Sequence, residues 1–223
     1  MKAPWAIVCD FDGTALSLDL GDRVATHFAG EASYQAAEDA YHAGELSFGA
    51  LLARVFAPIT ASREEIAAFA RRTAVLRPGF ERFVAACRDG GAPFYVVSSG
   101  LDAYIEPVLD DLHPDLRGHL KVRANRAVTG PGGLAVEFDG TDCGFCGFCK
   151  GHVVEELKAA GHRVVMLGDG TGDRHAADRA DHTFARAGSS LVTYCREKAL
   201  PHDVFETFDE VIARWPTGSN HPT

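Results

Sequence analysis

The run Trp5-Ala6-Ile7-Val8-Cys9 passes directly into Asp10-Phe11-Asp12-Gly13-Thr14, so a short apolar, β-favouring stretch ends in two acids and a glycine. This reads as a buried strand delivering a loop. Phe94 to Val97 repeats the pattern and delivers Ser98-Ser99-Gly100, and Arg163 to Leu167 repeats it again before Gly168-Asp169-Gly170. Thr183 to Ala185 is a candidate fourth strand. Helical spacing separates the strands: Phe80, Phe83, Val84 and Cys87 form one face, Leu101, Tyr104, Ile105, Val108, Leu109 and Leu112 a second, and Val153, Val154 and Leu157 a third. Strand and helix alternate, and the expected fold class is α/β, a doubly wound parallel sheet.

Between the first two strands, from Leu18 to about Val75, the pattern is helical. Phe48, Leu51, Leu52, Val55 and Phe56 recur at helical intervals, and Ser62 with Glu65 makes a capping box ahead of Ile66 and Phe69. The expected organisation is an α/β core over 1–17 and 77–215, an inserted α-helical cap over 18–76 and a flexible tail over 216–223. A small insertion at about 115–149 comprises a hairpin from Lys121 to Phe138, turned at Gly130-Pro131-Gly132-Gly133, and a Cys-rich stretch. Phe208, Val211, Ile212 and Trp215 space as a final helix.

With 223 residues the chain has enough for one sizeable core and a subsidiary lobe. Its formal net charge of -9 opposes a polyphosphate backbone, which argues against a nucleic-acid binder. No apolar run approaches the roughly 18 residues that cross a bilayer. A cytoplasmic protein without membrane or nucleic-acid partners is expected, with a homodimer left open.

Residues that follow the strands of a parallel sheet converge at its carboxyl edge. Asp10, Asp12, Ser98, Ser99, Gly100, Asp169 and Asp173 are therefore expected in one place, with Lys150 in reach. Singly each is weak, since a D-x-D turn also occurs as an Asx turn and a lone Lys is usually solvated. Together they are an acid, hydroxyl and amine set. Carboxylates gathered at one edge repel, and a hard cation with oxygen ligands relieves this; Mg²⁺ fits, because it uses few carboxylates and keeps waters. A cation, an amine, a hydroxyl and helix amides make a site for a phosphoryl group, so the expected partner is a small phosphorylated metabolite.

In these four stretches, DFDGT, SSG, the isolated Lys150 and GDGTGD, the chain resembles the haloacid dehalogenase (HAD) superfamily of phosphatases, whose motifs occur in this order. The resemblance implies a Rossmann-like core, Asp10 as the nucleophile that forms an aspartyl-phosphate, and Asp12 as the acid and then the base. It implies Ser98 and Lys150 on the phosphoryl oxygens and Mg²⁺ held by Asp10, the Asp12 carbonyl and Asp169, with Asp173 as an outer ligand or an orienter of Lys150. From Trp5 to about Trp215 the chain is also similar to the methionine-salvage phosphatases acting on 2-hydroxy-3-keto-5-methylthiopentenyl-1-phosphate, through RPGFERFV, PFYVVSSGLD, Cys149-Lys150 and HTFARAGSSLVTYCREK. Phosphoserine and phosphocholine phosphatases are cousins with the same cap. Phosphoserine enzymes usually place a Glu after the first motif to grip the substrate amine, whereas Asp19 stands there in this chain. That position resembles the salvage type and implies Asp19 in substrate specificity.

Cys143, Cys146 and Cys149 are spaced to offer three thiolates, with His152 nearby as a fourth ligand. Three readings are open: a bound metal, a regulatory thiol pair, and a reduced loop that packs to shape the pocket, which the resemblance favours. A catalytically idle zinc or redox sensor is the competing class of function, and intact Asp10, Asp12, Lys150 and Asp169 argue against it. Cys9, Cys87 and Cys195 sit on apolar faces as core, Phe11 reads as packing beside the nucleophile, and His27, His42, His162 and His175 take no role.

Overall fold

The computed structural model describes residues 4–130, 132–138, 143 and 145–215. Pro131 of the expected hairpin turn and the tail over 216–223 lie outside the described residues. Among those described, β1 (Trp5–Cys9) leads into a helical insertion of α1 (Leu20–Ala29), α2 (Glu31–His42), α3 (Phe48–Phe56) and α4 (Arg63–Thr73). Then follow α5 (Phe80–Asp89), β2 (Phe94–Leu101), α6 (Asp102–Asp110), α7 (Pro114–His119), β3 (Leu120–Gly130) and β4 (Gly133–Glu137). The chain continues through α8 (Lys150–Ala159), β5 (Arg163–Gly168), α9 (Arg174–Ala177), β6 (His182–Arg186), α10 (Ser190–Glu197), β7 (His202–Phe205) and α11 (Phe208–Arg214).

The seven strands form one sheet in the order β4-β3-β2-β1-β5-β6-β7, parallel except for the antiparallel edge pair β3 and β4. From β1 the chain steps outward through β2 and β3 on one side, and through β5, β6 and β7 on the other. The reversal falls between β1 and β5, where Ile7 pairs with Val165 and Cys9 with Leu167. Loops leaving these two strands diverge to opposite faces and open a crevice at the carboxyl edge. The expected α/β doubly wound sheet is the one observed.

Several boundaries differ from the periodicity. β2 runs through Ser98 to Leu101 instead of ending at Val97, because Leu101 still pairs with Asn125 across an irregular step. Leu101 is thus a strand residue and α6 begins at Asp102. The Lys121–Phe138 hairpin exists as β3 and β4, yet β3 also pairs in parallel with β2, so it extends the main sheet instead of forming a separate insertion. β7, which is short and only partly apolar, escaped the periodicity altogether.

The insertion leaves and rejoins the sheet through two antiparallel strands of chain. Leu16 bridges Leu76, Ser17 N donates to Val75 O at 2.8 Å and Arg77 N to Ala15 O at 2.8 Å. The expected capping box forms, with Ser62 Oγ accepting from Glu65 N and Glu65 accepting from Ser62 N. α4 is tied to α6 and its neighbourhood by a bidentate Arg63–Asp102 pair at 3.1 and 3.0 Å and by Arg71–Asp111. Leu20, Val24, Leu51, Val55, Phe56 and Ile66 of the insertion belong to the same apolar cluster as Ile7, Phe83 and Phe94 beneath the sheet.

Under the face carrying α5 and α11 lies an aromatic group. Phe83 is fully buried and its ring centroid is 5.7 Å from Phe94, 5.6 Å from Phe208 and 6.1 Å from Trp215. Phe83→Ala should therefore lower the unfolding free energy by about 3–5 kcal/mol, measured by chemical denaturation. A loss under about 1 kcal/mol would show that these rings do not pin α5 and α11 to the sheet.

Candidate active site

Gly13 explains how two acids emerge side by side from one strand. Its φ of +69° is the left-handed region, and a Cβ there would collide with the Asp169 carboxylate. The loop closes with Ala15 N donating to Asp10 O and Leu16 N to Phe11 O, while Phe11 turns inward and is fully buried, as packing beside Asp10. Arg77, buried at the neck of the insertion, ties the same loop from below: Nε donates to Thr14 O at 2.7 Å, and a terminal nitrogen donates to Gly13 O at 2.7 Å and Leu16 O at 3.1 Å. Arg77 received no role from the sequence, because its partners are carbonyls some sixty positions away.

Lys150 opens α8, and the helix places its side chain beneath the crevice. Only 3% exposed, its Nζ hydrogen-bonds to Asp10 Oδ1 and to Asp173 Oδ1, the latter at 2.6 Å. Burial disfavours the ammonium, but Asp10 and Asp173 outweigh that and hold its pKa above the ordinary lysine value. Asp173 spends its other oxygen on the amides of Asp169 (2.9 Å) and Gly170 (3.0 Å), which fixes the β5 loop. Asp169 accepts from Thr14 Oγ1 at 3.1 Å, which joins the β5 loop to the β1 loop.

Asp10, Asp169 and Asp173 each have an oxygen within 4.8 Å of the others. Burial, and then the charge of Asp173, push both Asp10 and Asp169 above the ordinary carboxylate range. This is a concentration of hard oxygen donors whose repulsion a small divalent cation relieves, and it fits Mg²⁺. Since Asp173 is spent on Lys150 and two amides, Asp10 and Asp169 are the carboxylates left to face a metal directly.

Asp12 points toward the insertion. Its Oδ1 accepts from the amides of Leu20 (2.9 Å) and Gly21 (3.2 Å) at the start of α1, and its Oδ2 accepts from Tyr104 Oη at 2.9 Å and from Ser98 Oγ at 3.5 Å. Burial lifts its pKa to about 6, against the lowering by the Tyr104 hydroxyl and the two amides. A carboxyl titrating this close to neutrality can both give up and take back a proton. Periodicity assigned Tyr104 only to a helix face; nothing local signals its reach to Asp12. A Cβ at Gly100 would overlap its hydroxyl, so Gly100 is what admits Tyr104 to the site.

Ser98 and Ser99 lie within the end of β2. Ser98 Oγ also accepts from Gly100 N at 2.9 Å, and the buried Ser99 Oγ has no hydrogen-bond partner. Asp19 caps α1, its Oδ1 accepting from Asp22 N at 2.8 Å. All nine expected residues, Asp10, Asp12, Asp19, Ser98, Ser99, Gly100, Lys150, Asp169 and Asp173, line one cavity of about 300 Å³. Its floor is the sheet edge. Its roof is the insertion, which contributes Phe48, Leu51, Leu52, Val55 and Phe56 from α3 and Asp22, Tyr34, Glu38 and Tyr41 from α1 and α2.

Cys9, Cys87 and Cys195 are fully buried, as expected of core residues. The remaining three cysteines meet a histidine, but not the expected one. His152 stays apart, its Nδ1 buried without a hydrogen-bond partner, and it is His175 of α9 whose Nδ1 faces Cys143, Cys146 and Cys149. His175, given no role from the sequence, is brought there by the turn after Asp173.

Among the described residues no helix is long and apolar enough to cross a membrane. The chain is 33% identical over 217 residues to 2-hydroxy-3-keto-5-methylthiopentenyl-1-phosphate phosphatase of Geobacillus thermodenitrificans, covering 95% of this chain and 96% of that one. It is also 33% identical over 216 residues to the bifunctional enzyme MtnB/MtnX of Bacillus licheniformis, matching 95% of this chain but spanning only 49% of that protein. A substrate-bound phosphoserine phosphatase complex superposes with a TM-score of 0.74 at 21% identity, over 96% of this chain and 99% of the other, which speaks for the fold. The profile of haloacid dehalogenase-like hydrolases matches residues 7–178, from β1 past the Asp169 and Asp173 loop, and the chain belongs to that family of hydrolases, among relatives that are named phosphatases.

Proposed function

We propose that this protein hydrolyses a small phosphomonoester through a covalent intermediate on Asp10, with residues 18–76 acting as the cap over the site. One observation carries the reading: a buried ammonium, Lys150, clamps Asp10 and Asp173 at the floor of the cavity, beside Asp169 and the protonatable Asp12. With Mg²⁺ bound against its carboxylates, such a floor would accept a phosphoryl group and aim a carboxylate at its phosphorus.

Mg²⁺ held by Asp10, Asp169 and the Asp12 carbonyl would neutralise phosphoryl charge when bound. Lys150 fixes the rotamer of Asp10 and faces the incoming oxygens. Asp10 then forms the new oxygen–phosphorus bond as the bond to the leaving oxygen breaks, and Asp12 gives that oxygen its proton. In the second half Asp12 takes a proton from water, the water oxygen bonds to phosphorus, and Asp10 is released with inorganic phosphate. The Ser98 and Ser99 hydroxyls and the α6 end of β2 supply donors to the remaining oxygens, and the cap excludes bulk water.

The roof favours a leaving group without a carboxylate. Among the described residues lining the cavity, Lys150 is the one cation, and it is spent at the floor. A phosphoserine carboxylate would instead meet Asp19, Asp22 and Glu38, with no cation to pair it. The apolar wall from Phe48 to Phe56 suits an aliphatic or thioether tail, which makes 2-hydroxy-3-keto-5-methylthiopentenyl-1-phosphate, or a similar compound, the preferred substrate. A second reading follows from those same acids with Tyr34 and Tyr41: a cationic leaving group such as choline.

Three outcomes are expected. Asp10→Asn should lower phosphate release by about a thousandfold or more with the fold intact by circular dichroism, and turnover retained in that variant would defeat the covalent route. Asp169→Asn removes a repelling carboxylate, so the Tm of magnesium-free protein should rise by about 2–4 °C while the stabilisation by added Mg²⁺ disappears. An undiminished Mg²⁺ effect would place the cation elsewhere. In a panel scored by kcat/KM, the methylthio enol-phosphate should exceed phosphoserine by about tenfold or more. If phosphocholine leads instead, and Glu38→Gln weakens it selectively, the cationic reading replaces the apolar one.

A further inference from the structure

The Cys143 loop and His175 make an arrangement that the phosphatase chemistry does not use. Cys143, Cys146 and Cys149 are spaced by two residues each, and the loop ends where α8 begins. His175 arrives from α9, on the far side of the β5 loop. Its Nδ1 stands 3.8 Å from Cys143 Sγ, 3.5 Å from Cys146 Sγ and 3.5 Å from Cys149 Sγ, and all four donor atoms lie within 4.8 Å of one another.

The three sulfur–nitrogen separations match those of a tetrahedral site. Zinc bonds of about 2.3 Å to sulfur and about 2.0–2.1 Å to nitrogen, at tetrahedral angles, put sulfur and nitrogen about 3.6 Å apart. Hydrogen bonding alone does not account for the pattern, because one ring nitrogen pairs with a single thiol, while here three sulfurs converge on it at nearly equal distance. Cys146 and Cys149 are 2% and 3% exposed, while Cys143 and His175 are half-buried. Cys146 N donates to Cys143 Sγ at 3.3 Å, an amide contact of the kind that stabilises a bound thiolate.

We propose that Cys143, Cys146, Cys149 and His175 form a structural zinc site that bolts the Lys150 segment to the Asp173 segment. Zn²⁺ displaces the thiol protons to solvent, and three thiolates with a neutral imidazole fill its four positions, leaving none open for substrate or water. Cys149 is bonded directly to Lys150, and His175 follows Asp173 by two residues, so the ion fixes from behind the two strands of chain whose side chains pair at the floor of the cavity. The loop also holds the cap, since Phe145 O accepts from Gly49 N of α3 at 3.0 Å. The site stands on its own donor atoms and does not depend on the identity of the substrate.

Untagged, full-length protein purified under reducing conditions should carry about one zinc per chain by elemental analysis. Zinc should persist in Asp169→Asn, which alters the carboxylate site, and vanish in Cys146→Ser and His175→Ala. Replacement by Co²⁺ should give sulfur-to-cobalt charge-transfer absorption together with the visible bands of a tetrahedral ion, a signature carboxylates do not produce. Removing the zinc by chelation should lower Tm by about 8 °C or more, the shift for a ligand at a thousandfold excess over its Kd in a chain of this size. Should Cys146→Ser fail to fold, chelated wild-type protein reloaded with Co²⁺ gives the same spectroscopic reading. Zinc well below stoichiometric, a cobalt spectrum without thiolate charge transfer, metal lost in Asp169→Asn but kept in Cys146→Ser, or a disulfide among the three cysteines would each overturn the proposal.

Discussion

A full positive charge buried beneath a sheet edge is the constraint around which the site is built. Lys150 is 3% exposed, and an ammonium so far from water is stable only if anions replace the lost hydration. Asp10 and Asp173 do so, from 140 and 23 positions away in the chain. The dependence is mutual, because three carboxylates crowded at this edge would expel one another without a cation among them. Strand order then follows as a requirement: β1 and β5 must be neighbours, with the N-terminus of α8 below them, for the charges to meet at all.

The second acid of the first motif answers to a different neighbour. Asp12 accepts from the first amides of α1, so its environment depends on where the insertion sits. Burial lifts its pKa to about 6, while the Tyr104 hydroxyl and the α1 amides pull it down. The insertion therefore shapes the surroundings of this acid as well as the roof of the cavity, and the Arg77 contacts beneath the neck hold the loop.

Legibility in the sequence tracked the range of the interaction. WAIVC, FYVV and RVVML are apolar at nearly every position because they are central strands covered on both faces, and such runs stand out without any knowledge of their partners. The Ser62 and Glu65 capping box was equally plain, being a contact over three residues. β7 was invisible because it is a short, half-exposed strand at the edge of the sheet, and the extension of β2 through Ser98 to Leu101 depends on pairing with β3 that no local pattern encodes. Tyr104, Arg77 and His175 share one cause: each acts through partners at least 26 positions off, and proximity in the chain pointed to His152 where tertiary structure brought His175.

By itself the sequence determined the α/β alternation, the helical insertion and the set of acids, hydroxyls and amine at strand ends, since these are local patterns of apolar spacing and turn chemistry. Only the tertiary structure decided which of those groups touch: that Asp173 is spent on Lys150, that Asp12 leans on α1 and Tyr104, that among the described residues no second cation lines the cavity, and that three cysteines converge on His175. Short-range preferences are written residue by residue, whereas charge pairing, burial and ligand geometry depend on distances that exist only after the sheet has closed its order and the helical insertion has packed on it.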